Sequence, residues 1–417
     1  MATLEKLPSE ILFSINAHAA DWIGLESLLQ VLPSIGELFA GDANTTADPE
    51  AIRLVESILK ENSVMKYELH CQFRMALNLR QPHLTDASVA EFMARDHSSS
   101  LLDTSPVSAL VLKEMVIVAA NIQRLACACL TTFLDRVRKV QPLRWERLRA
   151  RGLEGPEPYQ PGDTGPFTWI EEYRVYRALW NMQLYSDLSV AAGQLNWPQS
   201  DIDQWQTEST KWTSRGSHMK GELRSISECL NFMLGLDPVP LRVNPTDVFH
   251  DLIDQPPNVQ LPNVSQLRCK FDCWGPPSLS KDLESEEYCF SLDHWGNGIS
   301  AASSIRSTGC FMLCQHMRLR NHPRHPDLVV QDNRLWRALG MHIWDQWRLY
   351  RLGVWYPRFV RGNRHGPVPA PDGSEVPQEL YPFPLGTEYD SGFSFFIQAL
   401  RQLETQEHEQ RLAGVEV

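Results

Sequence analysis

Two pairs of cysteines have a spacing that could hold a zinc ion. Cys269 and Cys273 are four positions apart, as are Cys310 and Cys314, and His316 follows the second pair. Structural zinc sites use cysteine and histidine ligands at comparable spacings. The second pair, however, lies in an apolar stretch with a helical pattern, where unpaired cysteines are commonly buried. The sequence therefore predicts core cysteines, no metal site and no cofactor.

Two short stretches contain histidines that could take part in acid–base chemistry. Asp293 precedes His294, and His322 and His325 flank a Pro-Arg pair. A histidine beside a carboxylate can act as a general base. Neither stretch comes with a nucleophile motif, a metalloprotease helix, a phosphate-binding loop or a dinucleotide fingerprint. We therefore expect that the chain is not an enzyme and has no catalytic residues.

Positive charge is concentrated in one segment of an acidic chain. The net charge of -12 argues against a protein that coats nucleic acid, yet residues 306–364 contain eleven arginines, no lysines and three aspartates. Arginines interleaved with aromatic residues could bind phosphates and stack on bases. Alternatively, a basic patch of Arg337, Arg348 and Arg351 could cover the edge of its own helix and pair with the acidic run at 282–287. We favour this intramolecular use over nucleic-acid binding.

The elements that must position these residues are predicted to be helices. Apolar residues recur at helical spacing, and prolines end several of the runs. Strand alternation is not evident, so the fold class is mainly α. The predicted helices cover residues 7–16, 22–32, 49–59, 67–79, 105–140 (as one helix or two), 169–192, 334–355 and 394–412. The helix over 169–192 is apolar on two sides, which is typical of a central helix.

One predicted helix is apolar enough to raise the question of a membrane span. The stretch 115–134 has Gln123 and Arg124 at its middle. Polar and charged side chains are costly at the centre of a bilayer. We therefore expect a buried helix and no association with a membrane. The scattered cysteines and the lack of a signal peptide pattern predict a cytoplasmic or nuclear location, or both.

Composition also suggests a division of the chain into four parts. Residues 1–45 form an N-terminal helical unit, and residues 46–234 form a helical body. Residues 235–300 are rich in proline and are expected to be irregular. Residues 301–417 form a C-terminal helical part that is expected to pack on the body.

The N-terminal unit has more apolar side chains than a unit of about forty residues can bury by itself. Proline is tolerated in the first turn of a helix, and Glu10 suits the positive end of the helix dipole. Anchors at helical spacing are typical of helices that dock on a partner. The side chains expected to contact a partner are Leu7, Pro8, Ile11, Leu12, Ile15, Leu25, Leu28 and Leu29.

The stretch Leu7-Pro8-x-Glu10-Ile11-Leu12, followed by a second leucine-rich helix, resembles the F-box, and in particular the divergent F-box-like starts of fungal proteins. Two later stretches are similar to helices of the same fungal group. They are Arg177-Ala178-Leu179-Trp180, and Ala338-Leu339-Gly340 with Ile343-Trp344-Asp345. Residues 33–39 lack the Cys-Lys-x-Trp pattern that usually stands in the third segment of an F-box.

The resemblance implies an N-terminal F-box-like helical hairpin followed by a large helical body with proline-rich loops. It also implies a partner, the Skp-type adaptor of cullin-based ubiquitin ligases. The chain would then be a substrate-recruiting subunit of an SCF-type ligase that holds an unknown protein target near the transferring enzyme. Two alternatives are a helical scaffold or binding protein without a ligase role, and a nucleic-acid-associated factor that uses residues 306–364.

Overall fold

The chain has a mainly α-helical fold, as expected from its sequence. In this computed structural model the described residues are 20–102, 106–139, 143–144, 157–158, 165–198, 200–201, 217–236, 260–277, 337–344 and 348. Eight α-helices lie in this part of the chain: α1 (Trp22–Val31), α2 (Pro33–Leu38), α3 (Pro49–Glu61), α4 (His70–Leu79), α5 (Val89–Met93), α6 (Ala109–Lys139), α7 (Trp169–Leu195) and α8 (Ser217–Leu234). The predicted helices at 7–16 and 394–412 lie outside the described residues.

Strand structure in the described residues is limited to one short antiparallel pair and an isolated bridge between Thr46 and Ser108. The two-residue strands are β1 (Leu143–Arg144) and β2 (Glu157–Pro158). This agrees with the low strand content expected from the sequence.

The first two helices are separated by a single residue. Asp21 caps α1, and its Oδ2 accepts a hydrogen bond from the backbone N–H of Gly24 at 2.9 Å. Leu32 is extended, and Pro33 then occupies the first turn of α2. Proline suits this position because its missing N–H would have no partner in the first turn. Pro33 therefore ends one helix, as predicted, and begins another, which was not predicted.

The next two helices follow the predicted pattern with one local departure. Helix α3 lies over the predicted range and buries Ile52, Val55, Ile58 and Leu59, which recur at helical spacing. The helix predicted from residue 67 begins as a π-helical turn, Met65–Leu69, and becomes regular only at His70. The turn is irregular because the φ angle of Glu68 is +68°, which lies outside the right-handed helical region.

Helices α6 and α7 form the centre of the molecule. The run predicted as one or two helices is a single helix, α6, of 31 residues. By length and composition α6 could cross a membrane, but 72% of its most apolar window is buried inside the protein. Helix α7 contacts α4, α6 and α8. Both of its apolar sides are buried, as predicted for a central helix.

A single hydrophobic core joins most of these helices. It extends from Trp22 in α1, through α3, α4, α6, α7 and α8, to Trp344. A smaller cluster surrounds the C-terminal half of α7 and includes Phe92 and Trp197. Trp22, Ile35 and Phe39 of the predicted 1–45 unit are part of the main core. The described helices of that unit therefore share their core with the body.

Residues 260–277, which we call the strap, are the described part of the proline-rich region. The strap has one short 3-10 turn, Val264–Gln266, and is otherwise irregular. Its apolar side chains, including Leu261, Phe271 and Trp274, pack against the main core. The strap therefore lies on the helical body and covers part of it.

The prediction of a helix over residues 334–355 is wrong for residues 339–344. Arg337 and Ala338 are helical, but the next six residues form turns and a bend. Gly340 has a φ angle of +68°, and a Cβ atom there would lie 2.8 Å from Cγ of Phe133. The chain turns at this glycine because it passes close to α6 with a backbone conformation that other residues rarely adopt. The helix was predicted from apolar residues at helical spacing, such as Leu339 and Ile343, and this local pattern could not reveal a contact with Phe133.

Candidate functional site: the α1 end and the polar seam beside it

Helix α1 is attached to α6 by polar contacts as well as by apolar packing. The backbone N–H of Trp22 donates to Oε1 of Gln123 at 3.1 Å, and Nε2 of the same glutamine donates to Asp21. Arg124 donates to Glu26. Gln123 and Arg124 are the two residues whose polarity argued against a membrane span. Their role in the protein is to hold α1 in place.

The predicted docking residues that the structure describes differ in exposure. Leu25 is completely buried in the core, so its prediction as a partner contact is wrong. It is buried because it shares with Trp22 the face of α1 that packs into the core. Leu28 and Leu29 are half-buried at the edge of the core, and Val31, which was not predicted, is 64% exposed. Leu7, Pro8, Ile11, Leu12 and Ile15 lie outside the described residues.

The predicted basic patch is not a surface patch at the two positions that the structure describes. Nε of Arg337 donates to Glu228 at 2.8 Å, and Arg337 is 4% exposed. Arg348 is 1% exposed and makes two hydrogen bonds to Glu171, at 2.6 and 2.9 Å. The intramolecular interpretation was therefore correct for these arginines, but their partners are not the acidic run at 282–287. That run and Arg351 lie outside the described residues.

Two further arginines of α7, the buried Arg174 and the half-buried Arg177, were not recognised in the sequence as links to other segments. Arg174 donates to the backbone carbonyls of Ile343 and Trp344 at 2.9 and 2.7 Å. Arg177 makes an ion pair with Glu222 of α8 at 2.6 Å. Their contacts inside the protein could have been suspected from the sequence, because a helix with two apolar sides has little surface left to face solvent. These arginines connect α7 to α8 and to the turn after Gly340.

Glu172 differs from the other buried acidic residues in the part of the chain that the structure describes. It is 1% exposed, and among the described residues the one hydrogen-bond donor to its carboxyl group is the indole N–H of Trp274, which donates to Oε1. Its Oε2 has no hydrogen-bond partner among these residues. Each of the other buried carboxylates lies in an ion pair: Glu26 with Arg124, Asp86 with Arg95, Glu171 with Arg348, Asp187 with Arg80 and Glu222 with Arg177.

The absence of a cationic partner affects the acidity of Glu172. Burial raises the pKa of its carboxyl group from 4.5 to about 7 because the charged form is poorly solvated. The hydrogen bond from Trp274 lowers the pKa, and the neighbouring charge of Glu171 raises it, but both effects are smaller than that of burial. Glu172 can therefore gain or lose a proton near neutral pH.

The surroundings of Glu172 are polar and enclosed. Tyr176 lies one turn further along α7, and its buried hydroxyl has no hydrogen-bond partner in the described part of the chain. The backbone carbonyl of Trp274 accepts hydrogen bonds from Nε2 of Gln123 at 3.0 Å and from Sγ of Cys127 at 3.6 Å. Burial raises the pKa of Cys127, which keeps its sulfur protonated and weakly nucleophilic. We call this group the polar seam; its members are Asp21, Gln123, Cys127, Glu172, Tyr176 and Trp274.

The cysteines considered as zinc ligands are only partly described. Cys269 is half-buried in the strap and Cys273 is exposed. Cys310, Cys314 and His316 lie outside the described residues. Within the ranges that the structure describes, no group of three or more potential ligands is placed to hold a metal ion.

Comparisons with known proteins give no relative. The chain matches no protein-family model, no curated protein and no solved structure.

Proposed function

We propose that the chain is a substrate-recruiting subunit of an SCF-type ubiquitin ligase. It would dock a Skp-type adaptor through its N-terminal helices and hold a protein target on its helical body. The proposal is carried by the Leu-Pro-x-Glu-Ile-Leu start, which is followed by two short helices, α1 and α2, in the order found in an F-box. A cytoplasmic or nuclear location, where cullin-based ligases act, is part of the proposal.

The attachment of α1 to α6 supports this mechanism. A recruiting subunit acts by proximity, so the end that docks the adaptor must keep a fixed position relative to the bound target. The contacts of Trp22 and Glu26 with Gln123 and Arg124 connect α1 to the longest helix that the structure describes. Such a mechanism requires no catalytic residue in this chain.

The proposed docking surface differs from the sequence prediction at Leu25. Leu28 and Leu29 stay among the proposed adaptor contacts because they are half-buried at the edge of the core. Val31 extends the apolar surface at the end of α1. With the N-terminal residues, the proposed adaptor contacts are Leu7, Pro8, Ile11, Leu12, Ile15, Leu28, Leu29 and Val31.

The test is co-purification of the full chain with a Skp-type adaptor. We expect the wild-type chain to recover the adaptor and the Leu7→Ala/Pro8→Ala variant to recover at least about tenfold less, since a loss of about 1.4 kcal/mol has this effect. The matched control is Val190→Ala, which removes an apolar side chain that is 57% exposed on α7. The control should recover as much adaptor as the wild type.

The outcome that contradicts the proposal is equal recovery with the double variant and the wild type, or no recovery with either. Thermal unfolding of each variant must accompany the test. If Leu7→Ala/Pro8→Ala lowers the unfolding temperature substantially, the N-terminal residues stabilise the chain itself.

A helical scaffold or binding protein is the second candidate, and the burial of Trp22 and Leu25 favours it. These side chains show that α1 serves the core of its own chain. The nucleic-acid alternative is weaker, because Arg337 and Arg348 are themselves buried and each is engaged in an ion pair.

A further inference from the structure

The strap is held to the body at two separate places. Its N-terminal half is fixed by Asn121 of α6, which donates to the carbonyl of Pro262 at 3.0 Å and accepts from the N–H of Val264 at 3.1 Å. The N–H of Arg268 also donates to the carbonyl of Met233 at 2.9 Å. These contacts use neutral amide groups, so protonation does not alter them.

The C-terminal half of the strap, residues 271–277, is fixed through Trp274 and through the carbonyl of Pro276, which accepts a hydrogen bond from Oγ of Ser63 at 3.3 Å. The indole of Trp274 donates to Glu172 and stacks on Phe167, with 5.3 Å between ring centroids. Its carbonyl accepts from Gln123 and from Cys127. This half therefore closes the polar seam. Its most enclosed contact is to the carboxyl group of Glu172, which has no cationic partner among the described residues.

The groups around Glu172 do not compensate a negative charge. Apart from Arg124, the described titratable groups at the seam are acidic or neutral, and Arg124 is already paired with Glu26, as Arg348 is with Glu171. The titratable and charged groups that face the seam are Glu171 and Tyr176 from α7, Cys127 and Arg124 from α6, Asp21 from the start of α1, and Asp272 and Cys273 from the strap.

We propose that Glu172 is a proton-controlled latch: the neutral carboxyl keeps residues 271–277 closed over α6 and α7, and loss of its proton releases them. The proposal is independent of the ligase function.

The direction of the effect follows from solvation. In the closed state the carboxylate is buried with no counter-ion among the described residues, whereas in the open state water reaches it and its pKa returns toward 4.5. Opening is therefore coupled to loss of a proton and becomes more favourable as the pH rises. The unpartnered hydroxyl of Tyr176 lies on the same face of α7 and is a candidate acceptor for the proton of the neutral carboxyl.

The thiol of Cys127 provides a reporter for opening. It is completely buried, and its sulfur contacts the carbonyl of Trp274. The experiment measures the rate at which a maleimide labels Cys127 in the full chain, by mass spectrometry of the cysteine-containing peptide. The measurement compares the wild type with Glu172→Gln at about pH 6 and about pH 8.5. Thiol reactivity itself depends on pH. We therefore divide the labelling rate of the wild type by that of Glu172→Gln at the same pH and compare this ratio between the two pH values.

We expect this ratio to rise roughly tenfold between the two pH values, since the opening equilibrium follows the difference in proton binding between the closed and open states. Cys129 is the control thiol, because it is buried between α6 and α8, near Cys229. Its labelling ratio should not change.

The latch is contradicted if the ratio for Cys127 is independent of pH, or if Cys129 changes in parallel. Infrared spectroscopy gives a second measurement, because the protonated carboxyl of Glu172 has a carbonyl band that Glu172→Gln lacks. If this band titrates near pH 7 while the labelling rate of Cys127 relative to that of Cys129 in the same chain does not follow it, the protonation state changes without opening and the proposal fails. This comparison does not depend on the labelling of the variant.

Discussion

Nε of Arg348 lies 2.6 Å from Oε1 of Glu171, and both side chains are buried in the core. Arg348 also donates to the carbonyl of Pro166 at 2.8 Å, and its guanidinium lies 5.2 Å from the ring centroids of Phe167 and Trp344. The ion pair is therefore enclosed by aromatic rings. It joins two segments that are 177 positions apart in the chain.

Replacing Arg348 with methionine should destabilise the protein by about 3–5 kcal/mol, because it leaves the buried carboxylate of Glu171 without its cation. The measurement is unfolding in urea. Arg53→Ala is the control, since Arg53 is 61% exposed and pairs with Glu50 on the surface of α3. An exposed pair contributes about 0–1 kcal/mol. Similar losses for the two variants would show that the buried pair contributes little.

Replacing Gly340 with alanine should destabilise the protein by at least about 1–2 kcal/mol, the usual cost of a left-handed backbone for a residue with a Cβ atom. The close approach to Phe133 adds to this cost. Gly193→Ala is the matched control, because Gly193 lies in α7 with no atom near its missing Cβ. The free energy of unfolding of the control should rise by about 0.5–1 kcal/mol, because alanine has a higher helix propensity than glycine. Thermal unfolding of both variants tests these two expectations. A Gly340→Ala variant that is more stable than the wild type would contradict the left-handed backbone at Gly340.

Replacing Leu25 with alanine should cost about 2–5 kcal/mol, as expected for a large-to-small change in a packed core. Val31→Ala, at an exposed position of the same helix, should change the free energy of unfolding by less than about 0.5 kcal/mol. Urea unfolding measures both. If the two variants have equal stability, α1 does not pack on the core as described.

The stability of the protein should fall as the pH rises from about 4.5 to about 7. In this window folded Glu172 keeps a proton that the unfolded chain has lost, because burial raises its pKa to about 7. The folded state then binds more protons, and its stability decreases with pH by at most about 3 kcal/mol from this group.

Glu172→Gln removes this dependence because the amide does not titrate. The variant should therefore gain stability relative to the wild type as the pH rises, when unfolding is compared at about pH 5 and about pH 8. A difference that is constant with pH would mean that Glu172 has an ordinary pKa in the folded protein.

Most of the helical structure could be predicted because it depends on local sequence. The apolar faces of α3, α6 and α7 repeat at the period of a helix, and burial of those faces is sufficient to form them. The F-box-like interpretation of residues 7–32 also depends on local pattern, and it remains a prediction to be tested with the adaptor.

The tertiary structure alone decided the properties of the candidate site. Arg348 and Glu171 pair across 177 positions, and periodicity contains no information about such a partner. Leu25 and Leu28 are equivalent in the sequence pattern, but only the packing of α1 places one in the core and the other at its edge. Glu172 follows Glu171 directly, yet in the part of the chain that the structure describes only Glu171 has a cationic partner. The amino-acid sequence thus determined which segments form helices, because that preference is local, whereas burial and charge compensation depend on which segments meet in space.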